Sequence, residues 1–561
     1  MEPAVDNNYF DLGNHSLPVS TNSPEAQAWF DRGLAWCYGF NHEEAVRCFE
    51  KTLEQDPLCA MGHWGIAYAS GSFYNKPWEW FGDAERIQVV ETCYHHVQKA
   101  LEICSAAIPL ELQLIAALGE KHAAAQVAEL TELVQWEENY SNRMRALQKG
   151  FPDDLDIICL TAESMMNLTR WKLWDFHRGM PTVGAHTEAA IDLLEQAMVL
   201  IEQNRLNPHS GILHFYIHAL EMSPHPEKAL PAANQLREIS TESGHLLHMA
   251  THIDVLCGQY LEALEANIRA TSADLKYIGL RGKHEFYMIS CVHDFHSQIY
   301  AAMFVGQLVP ALQAADSIQS IIDDEMLRIH SRYLASTLEG YYSNRVHVLI
   351  RFGHWQAIVD EPMPENETLY PITTALLYYA KTIGHAALGD IASARQCKSK
   401  FDQLREAIPD WHIMANNPST DILAVAAAMA EGELEYHAGN HDIGYDYLRR
   451  ACRLSDNLAY SEPWPWMHPP RHALGALLLE QGHIEEAMQH YGDDLGINDT
   501  LPRCLQHRDN IWALHGYLEC LKRLGRSEGI EVFQQKLNRA VKNADTDINS
   551  SCCCRKNVFG G

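Results

Sequence analysis

From Pro24 to Pro57 the chain reads PEAQAWFDRGLAWCYGFNHEEAVRCFEKTLEQDP, with apolar positions recurring every three or four residues on both sides of a break at Phe40, Asn41 and His42. That spacing predicts two amphipathic helices joined by a tight turn. The pattern returns later around a turn of the form Gly-x-x-x-x-small. Gly258 leads to Ala263, Gly306 to Ala311, Gly389 to Ala394, Gly439 to Gly444 and Gly482 to Ala487, while Gly525 leads to the larger Ile530. Each marks a further helix-turn-helix. Ala229 precedes Ala263 by 34 residues, so the hairpins beginning near Ser210 and Gly244 are expected to stack as neighbours. Nothing reads as a sheet, and no GxGxxG after a strand, GxxxxGK[ST], GxSxG or kinase signature supports nucleotide binding or serine hydrolysis.

In the first hairpin Trp29, Gly33, Trp36, Ala45, Phe49 and Pro57 fall on the spacing of a known signature, and the segment resembles the tetratricopeptide repeat (TPR) family. Packing explains the residue types: Gly and Ala let two helices approach, large residues fill the gap, and Pro ends the second helix. The resemblance covers residues 24 to 540, most specifically at the N-terminal end. It implies an all-α, right-handed α-α superhelix of hairpins whose first helices line an inner surface, and by default a groove for a protein partner. The chain divides on this reading into a lead segment, 1–22, a superhelix, 23–543, and a disordered tail, 544–561. Pro- or Trp-rich breaks at 72–86, 363–371, 408–421 and 458–470 are expected to be longer connections on one face. Peptide-clamping members of the family present Lys, Asn and Arg on the inner face. Here those places hold His, Tyr and apolar residues, so that clamp is not carried over.

Composition narrows the partners. The chain has 561 residues, with 73 acidic against 43 basic side chains and a net charge of -30. Such a surface repels phosphate backbones and anionic lipid, which argues against nucleic acid. The longest apolar runs, such as Ala424 to Ala430, are far too short to span a bilayer, so no transmembrane helix is expected. The N-terminus lacks the basic start and apolar run of a secretory signal, so a reducing, cytoplasmic location is expected. Fifteen cysteines without a CxxC pair indicate neither a zinc knuckle nor a disulfide frame. Cys552, Cys553 and Cys554, followed by Arg555 and Lys556, form a candidate acylation motif.

The 31 histidines carry the functional question. LHFYIHALE puts His214 and His218 one turn apart on one helical face, with Glu221 a turn further on. SGHLLHMATHID puts His245, His248 and His252 on one face of the next repeat. Counted from Gly258, Ala263 and Ala229, all five take places that point into the groove in the TPR family. His293 and His296 follow in SCVHDFHSQIY, and His347, His472 and His515 also fall on inner places. Imidazoles at i and i+4 can share a first-row metal, because neighbouring side chains on a helix start about 5–6 Å apart. The expected ligands are His214, His218, His248 and His252, with His245, His293 and His296 as further ligands or supports and Glu221 as general base or bridging ligand. Asp254 is another possible carboxylate. Iron, copper, zinc and manganese all suit such a set.

Two aromatic segments interrupt the repeats: GSFYNKPWEWFGD, with Trp78 and Trp80, and SEPWPWMHPPRH, with Trp464, Trp466, His468, Arg471 and His472. They are expected to fold back over the superhelix and enclose a small-molecule pocket, with Arg471 available for an anionic group. His63 lies beside the first segment, and His42 reads as a start-of-helix residue. Three functions are compatible with this reading: a metal-dependent oxidoreductase or hydrolase acting on a small organic molecule, oxidative tailoring included; a non-catalytic scaffold that docks a protein partner; and a metal or small-molecule sensor.

Overall fold

The computed structural model describes residues 9–104, 109–127, 129–239, 242–329 and 331–555. It contains two units, Met1–Ile253 with Arg269–Cys291, and Asp254–Ile268 with Val292–Gly561. Among the described residues all regular structure is helical apart from two short ribbons, Trp174–Asp175 with Met180–Pro181 and Ile413–Met414 with Asn417–Pro418. No described helix is long and apolar enough to cross a membrane.

The first hairpin pairs Pro24–Tyr38 with His42–Gln55. Ser23 caps the first helix by accepting from Ala26 N at 3.2 Å, and Pro24 supplies a preset φ at its start. Asn41 caps the second by accepting from Glu44 N at 3.1 Å, and Glu43 and Glu44 complement the dipole of its first turn. Successive helices of the first unit then pack on one another as far as Leu230–Ile239. In the second unit the hairpins include Pro371–Ala387 with Ile391–Ala407, Ser419–His437 with His441–Asp456 and Pro470–Glu480 with Ile484–Asp494. Both units are built of TPR-like helical hairpins.

The small-large register of the sequence is visible in the packing. A Cβ on Gly33 would lie 2.6 Å from the Phe49 ring, and one on Gly65 of the next hairpin 2.4 Å from it. Phe49 is fully buried, so one ring fixes the approach of three helices. Tyr491 does the same in the second unit, where a Cβ on Gly475 or Gly516 would approach its ring to 2.5 or 2.2 Å. Phe49→Ala is expected to cost about 3–5 kcal/mol and to lower the urea midpoint of the first unit; Gly65→Ala should cost about 1–3 kcal/mol by overpacking.

The turns expected at Gly389, Gly439 and Gly482 have φ of 86°, 91° and 86°, a left-handed conformation in which glycine carries no steric penalty. The first hairpin departs from this. Phe40 stands five places before Ala45, the same offset as the turn glycines, and carries φ 57°. A non-glycine residue there costs on the order of 1–3 kcal/mol, so the fold retains Phe40 against local strain.

The tail also departs from expectation. Ile548, Ser550, Ser551 and Cys554 are buried, Tyr491 shares a hydrogen bond with Ser551, and Arg555 Nη1 pairs with Glu519 Oε2 at 2.7 Å. Residues 544–555 are therefore held in place by Tyr491 and Glu519, partners that local composition does not reveal. Cys552 and Cys554 are joined as a disulfide, a pairing that the absence of a CxxC motif gave no reason to expect. Lys556 and the residues beyond lie outside the described part, as do residues 1–8 of the lead segment.

Candidate metal centre

Two helices of the first unit carry the histidines. Ser210–Leu220 presents His214 and His218; Gly244–Leu256 presents His245, His248 and His252. All five imidazoles are buried. They close into a circuit, with successive ring centroids at 4.9 Å from His214 to His218, 5.4 Å to His252, 4.8 Å to His248, 5.9 Å to His245 and 5.1 Å back to His214. The 34-residue repeat thus places the two helices side by side as expected. His214, His218 and His245 each offer one ring nitrogen within 4.8 Å of the others.

Hydrogen bonding sets the tautomers. A carbonyl or carboxylate oxygen only accepts, so the ring nitrogen facing it carries the proton. His214 Nδ1 donates to Tyr38 O at 2.6 Å, while His218 Nδ1 and His252 Nδ1 donate to the two oxygens of Glu221 at 2.9 and 2.5 Å. In each of these three rings the proton sits on Nδ1 and Nε2 is the unprotonated nitrogen. His252 Nε2 lies 2.7 Å from His248 Nε2, which donates to it, and His248 Nδ1 in turn accepts from Thr251 Oγ1 at 3.3 Å. Burial, and then the neighbouring His218, hold the His214 pKa well below its ordinary value, so that ring is neutral at pH 7.

Glu221 accepts from two imidazole N–H groups and so orients both rings. His245, expected in support, joins His214 and His218, whereas His248 bonds to His252. His293, His296 and Asp254 belong to the second unit. There His293 bonds the Glu462 carbonyl, and His296 Nε2 lies 2.7 Å from Met467 Sδ.

The aromatic segments also separate by role. Trp78 packs with Phe81, Val90 and Leu133, and Trp80 stacks on Trp171 at 5.9 Å, so both contribute to packing. Tyr74 of the same segment reaches the imidazoles, 4.8 Å from His218. In the second unit Trp464 Nε1 donates to Ser455 O at 3.2 Å, and Trp466 is buried against His347 and Tyr379. Arg471, expected to meet a ligand, is bound by both oxygens of Asp456 at 2.6 and 2.5 Å. His472 Nε2 bonds Asp494 Oδ2 at 2.8 Å, and His507 Nδ1 bonds the other oxygen at 2.8 Å. His63 pairs with His96, Nδ1 to Nδ1 at 3.0 Å.

Sequence reasoning missed Tyr38 and Phe40. The Phe40 ring lies 4.4 Å from His214 and stacks on His218 and His245 at 5.8 and 5.2 Å. Its signal was a phenylalanine at a turn-glycine position. Tyr38 links the imidazoles to a second polar group, since its hydroxyl donates to Asp156 Oδ1 at 2.7 Å. Asp156 Oδ1 also meets His15 Nε2 at 2.9 Å and His209 Nε2 at 3.2 Å. Burial raises the Asp156 pKa, but those histidine hydrogen bonds outweigh it and hold the carboxyl well below the usual carboxylate range.

No protein-family model matches the chain, and no curated protein matches it. Among solved structures, yeast Tom70 aligns over 91% of this chain and 99% of its own, at 12% identity and a TM-score of 0.29. A human IFIT1 dimer aligns over 94% and 92%, at 10% identity and 0.31. A Rap protein complexed with competence and sporulation factor aligns over 69% and 98%, at 12% identity and 0.30. Likenesses this distant leave the function to be argued from the residues.

Proposed function

We propose that the first unit binds one first-row transition-metal ion through His214, His218 and His245, with His252 adjoining them and Glu221 and Tyr38 O orienting the rings. One observation carries the reading. His214, His218 and His245 each bring a ring nitrogen within 4.8 Å of the others, and the first two give their Nδ1 protons to fixed oxygen acceptors, the pattern by which proteins orient metal-bound histidine. A packing histidine needs neither four neighbouring imidazoles nor a carboxylate shared with one of them. Nitrogen-rich ligation suits iron, copper, zinc or manganese. When bound, the ion would supply Lewis acidity or, as iron or copper, oxygen chemistry toward a small organic molecule. The same ligands without turnover would make a sensor. The repeat architecture itself favours a second reading, a non-catalytic scaffold for a protein partner.

The test is titration of zinc, copper(II) and iron(II) into chelator-stripped protein. One saturable site is expected, weakened at least 100-fold in His214→Ala, His218→Ala and His245→Ala. Affinities unchanged in all three variants, with the fold intact by circular dichroism, would leave only the scaffold reading.

A further inference from the structure

Beside the imidazoles, and wholly within the first unit, lies a cavity of about 390 Å³, the size of a small-molecule site. Phe40 is a wall of this cavity and also packs on His214, His218 and His245. Phe73, Phe81 and Phe286 complete an aromatic lining. The charges around it are largely matched already. Glu43 accepts from Phe286 N and Tyr287 N, both at 2.9 Å. Lys76 Nζ pairs with Glu85 at 2.7 Å and sits 4.1 and 4.4 Å from the Phe81 and Phe286 ring centres. Arg47 is bound to Glu44 and Glu285. Glu50 lines the cavity as an exposed residue. An anion would have to break a Lys76 or Arg47 pair, and a cation would have to compete with Lys76 for the Phe81 and Phe286 rings; a neutral ligand does neither.

His42 supplies the directional group. Its ring stacks on Phe73 at 3.8 Å, and Nδ1 lies 3.0 Å from Ala69 O. Nδ1 therefore carries the ring proton, and Nε2 is an acceptor on a residue that lines the cavity. Burial pushes the His42 pKa down to about 3, so Nε2 keeps its lone pair at physiological pH.

We infer that this cavity binds a neutral, flat aromatic molecule bearing an N–H or O–H donor, of the indole or phenol class, enclosed among Phe40, Phe73, Phe81 and Phe286, with His42 Nε2 accepting its hydrogen bond. The site does not depend on the metal reading, although Phe40 is common to both.

Isothermal titration of chelator-treated protein with indole, and with benzothiophene as an isostere lacking the N–H, tests it. Indole should bind at one saturable site at least 10-fold more tightly than benzothiophene. His42→Phe, which keeps a ring on Phe73, should abolish that difference, and Val46→Trp, which fills the cavity from its lining, should abolish binding of both. Absence of saturable indole binding, equal affinity for the two probes, or binding that survives Val46→Trp would each overturn the inference. Because metal is absent throughout, none of these results bears on the imidazole centre. If His42→Phe fails to fold, the two-probe comparison and Val46→Trp still decide.

Discussion

Acidifying the protein from pH 7.5 to pH 5 is expected to lower its apparent melting midpoint by roughly 10 °C. The cause is a set of buried histidines that stay neutral in the folded chain. Burial pushes the His42 pKa down to about 3 and those of His347 and His472 to about 4, and holds His122, His296 and His468 well below the ordinary value. The unfolded chain takes up these protons as pH falls through about 6.5. It then binds more protons than the folded chain, so stability drops with pH in the window from about 6.5 down to the folded values. Each histidine kept neutral costs about 2 kcal/mol at pH 5.

Two carboxyls act in the opposite sense. Burial raises Glu339 and Glu433 to about 8, so they are already protonated in the folded chain and stabilise it increasingly as pH falls from about 8 toward 4.3. They offset about three of the six histidines. The net loss, of order 6 kcal/mol, is comparable to the whole stability of an ordinary domain. Melting followed by far-ultraviolet circular dichroism at half-unit pH intervals checks this, and a flat midpoint between pH 7.5 and 5.5 would be inconsistent with buried neutral imidazoles.

Replacing Glu221 should damage the imidazole centre without touching the histidine side chains. Its carboxylate is buried and accepts one N–H from each of two helices. In Glu221→Ala both N–H groups lose that acceptor, and each buried unsatisfied donor costs on the order of 1–3 kcal/mol. The rings of His218 and His252 are then free to turn, and metal affinity is expected to fall by about 10–100-fold. Glu221→Gln retains one acceptor oxygen and should fall between. Competition with a chromogenic chelator measures both variants, and affinity equal to the wild type in Glu221→Ala would show that the carboxylate does not orient ligands.

The hairpins were legible because one repeat writes its packing directly into the chain. Gly33, Ala45 and Phe49 are where close approach and a filling ring are required, and the turn glycines announce left-handed backbone. The histidine helices were legible for the same reason, since a 34-residue period put His214 and His218 beside His245, His248 and His252. Which of them converge was not. That depends on rotamers fixed by Tyr38 O and Glu221, and Tyr38 lies 176 residues from His214. The two tryptophan segments look alike in sequence but serve separate units, because apolar content alone does not distinguish a cavity wall from a core. Arg471 illustrates this: its nearby carboxylate, Asp456, was as available as any ligand.

Convergence of the imidazole nitrogens on one ion is read directly by X-ray absorption at the metal edge. In protein purified without a histidine tag or nickel resin, one equivalent of a first-row metal is expected, with at least three nitrogen neighbours at about 2.0–2.1 Å and the scattering signature of imidazole. Less than a tenth of an equivalent after reconstitution, or a shell of oxygen neighbours without imidazole, would contradict it.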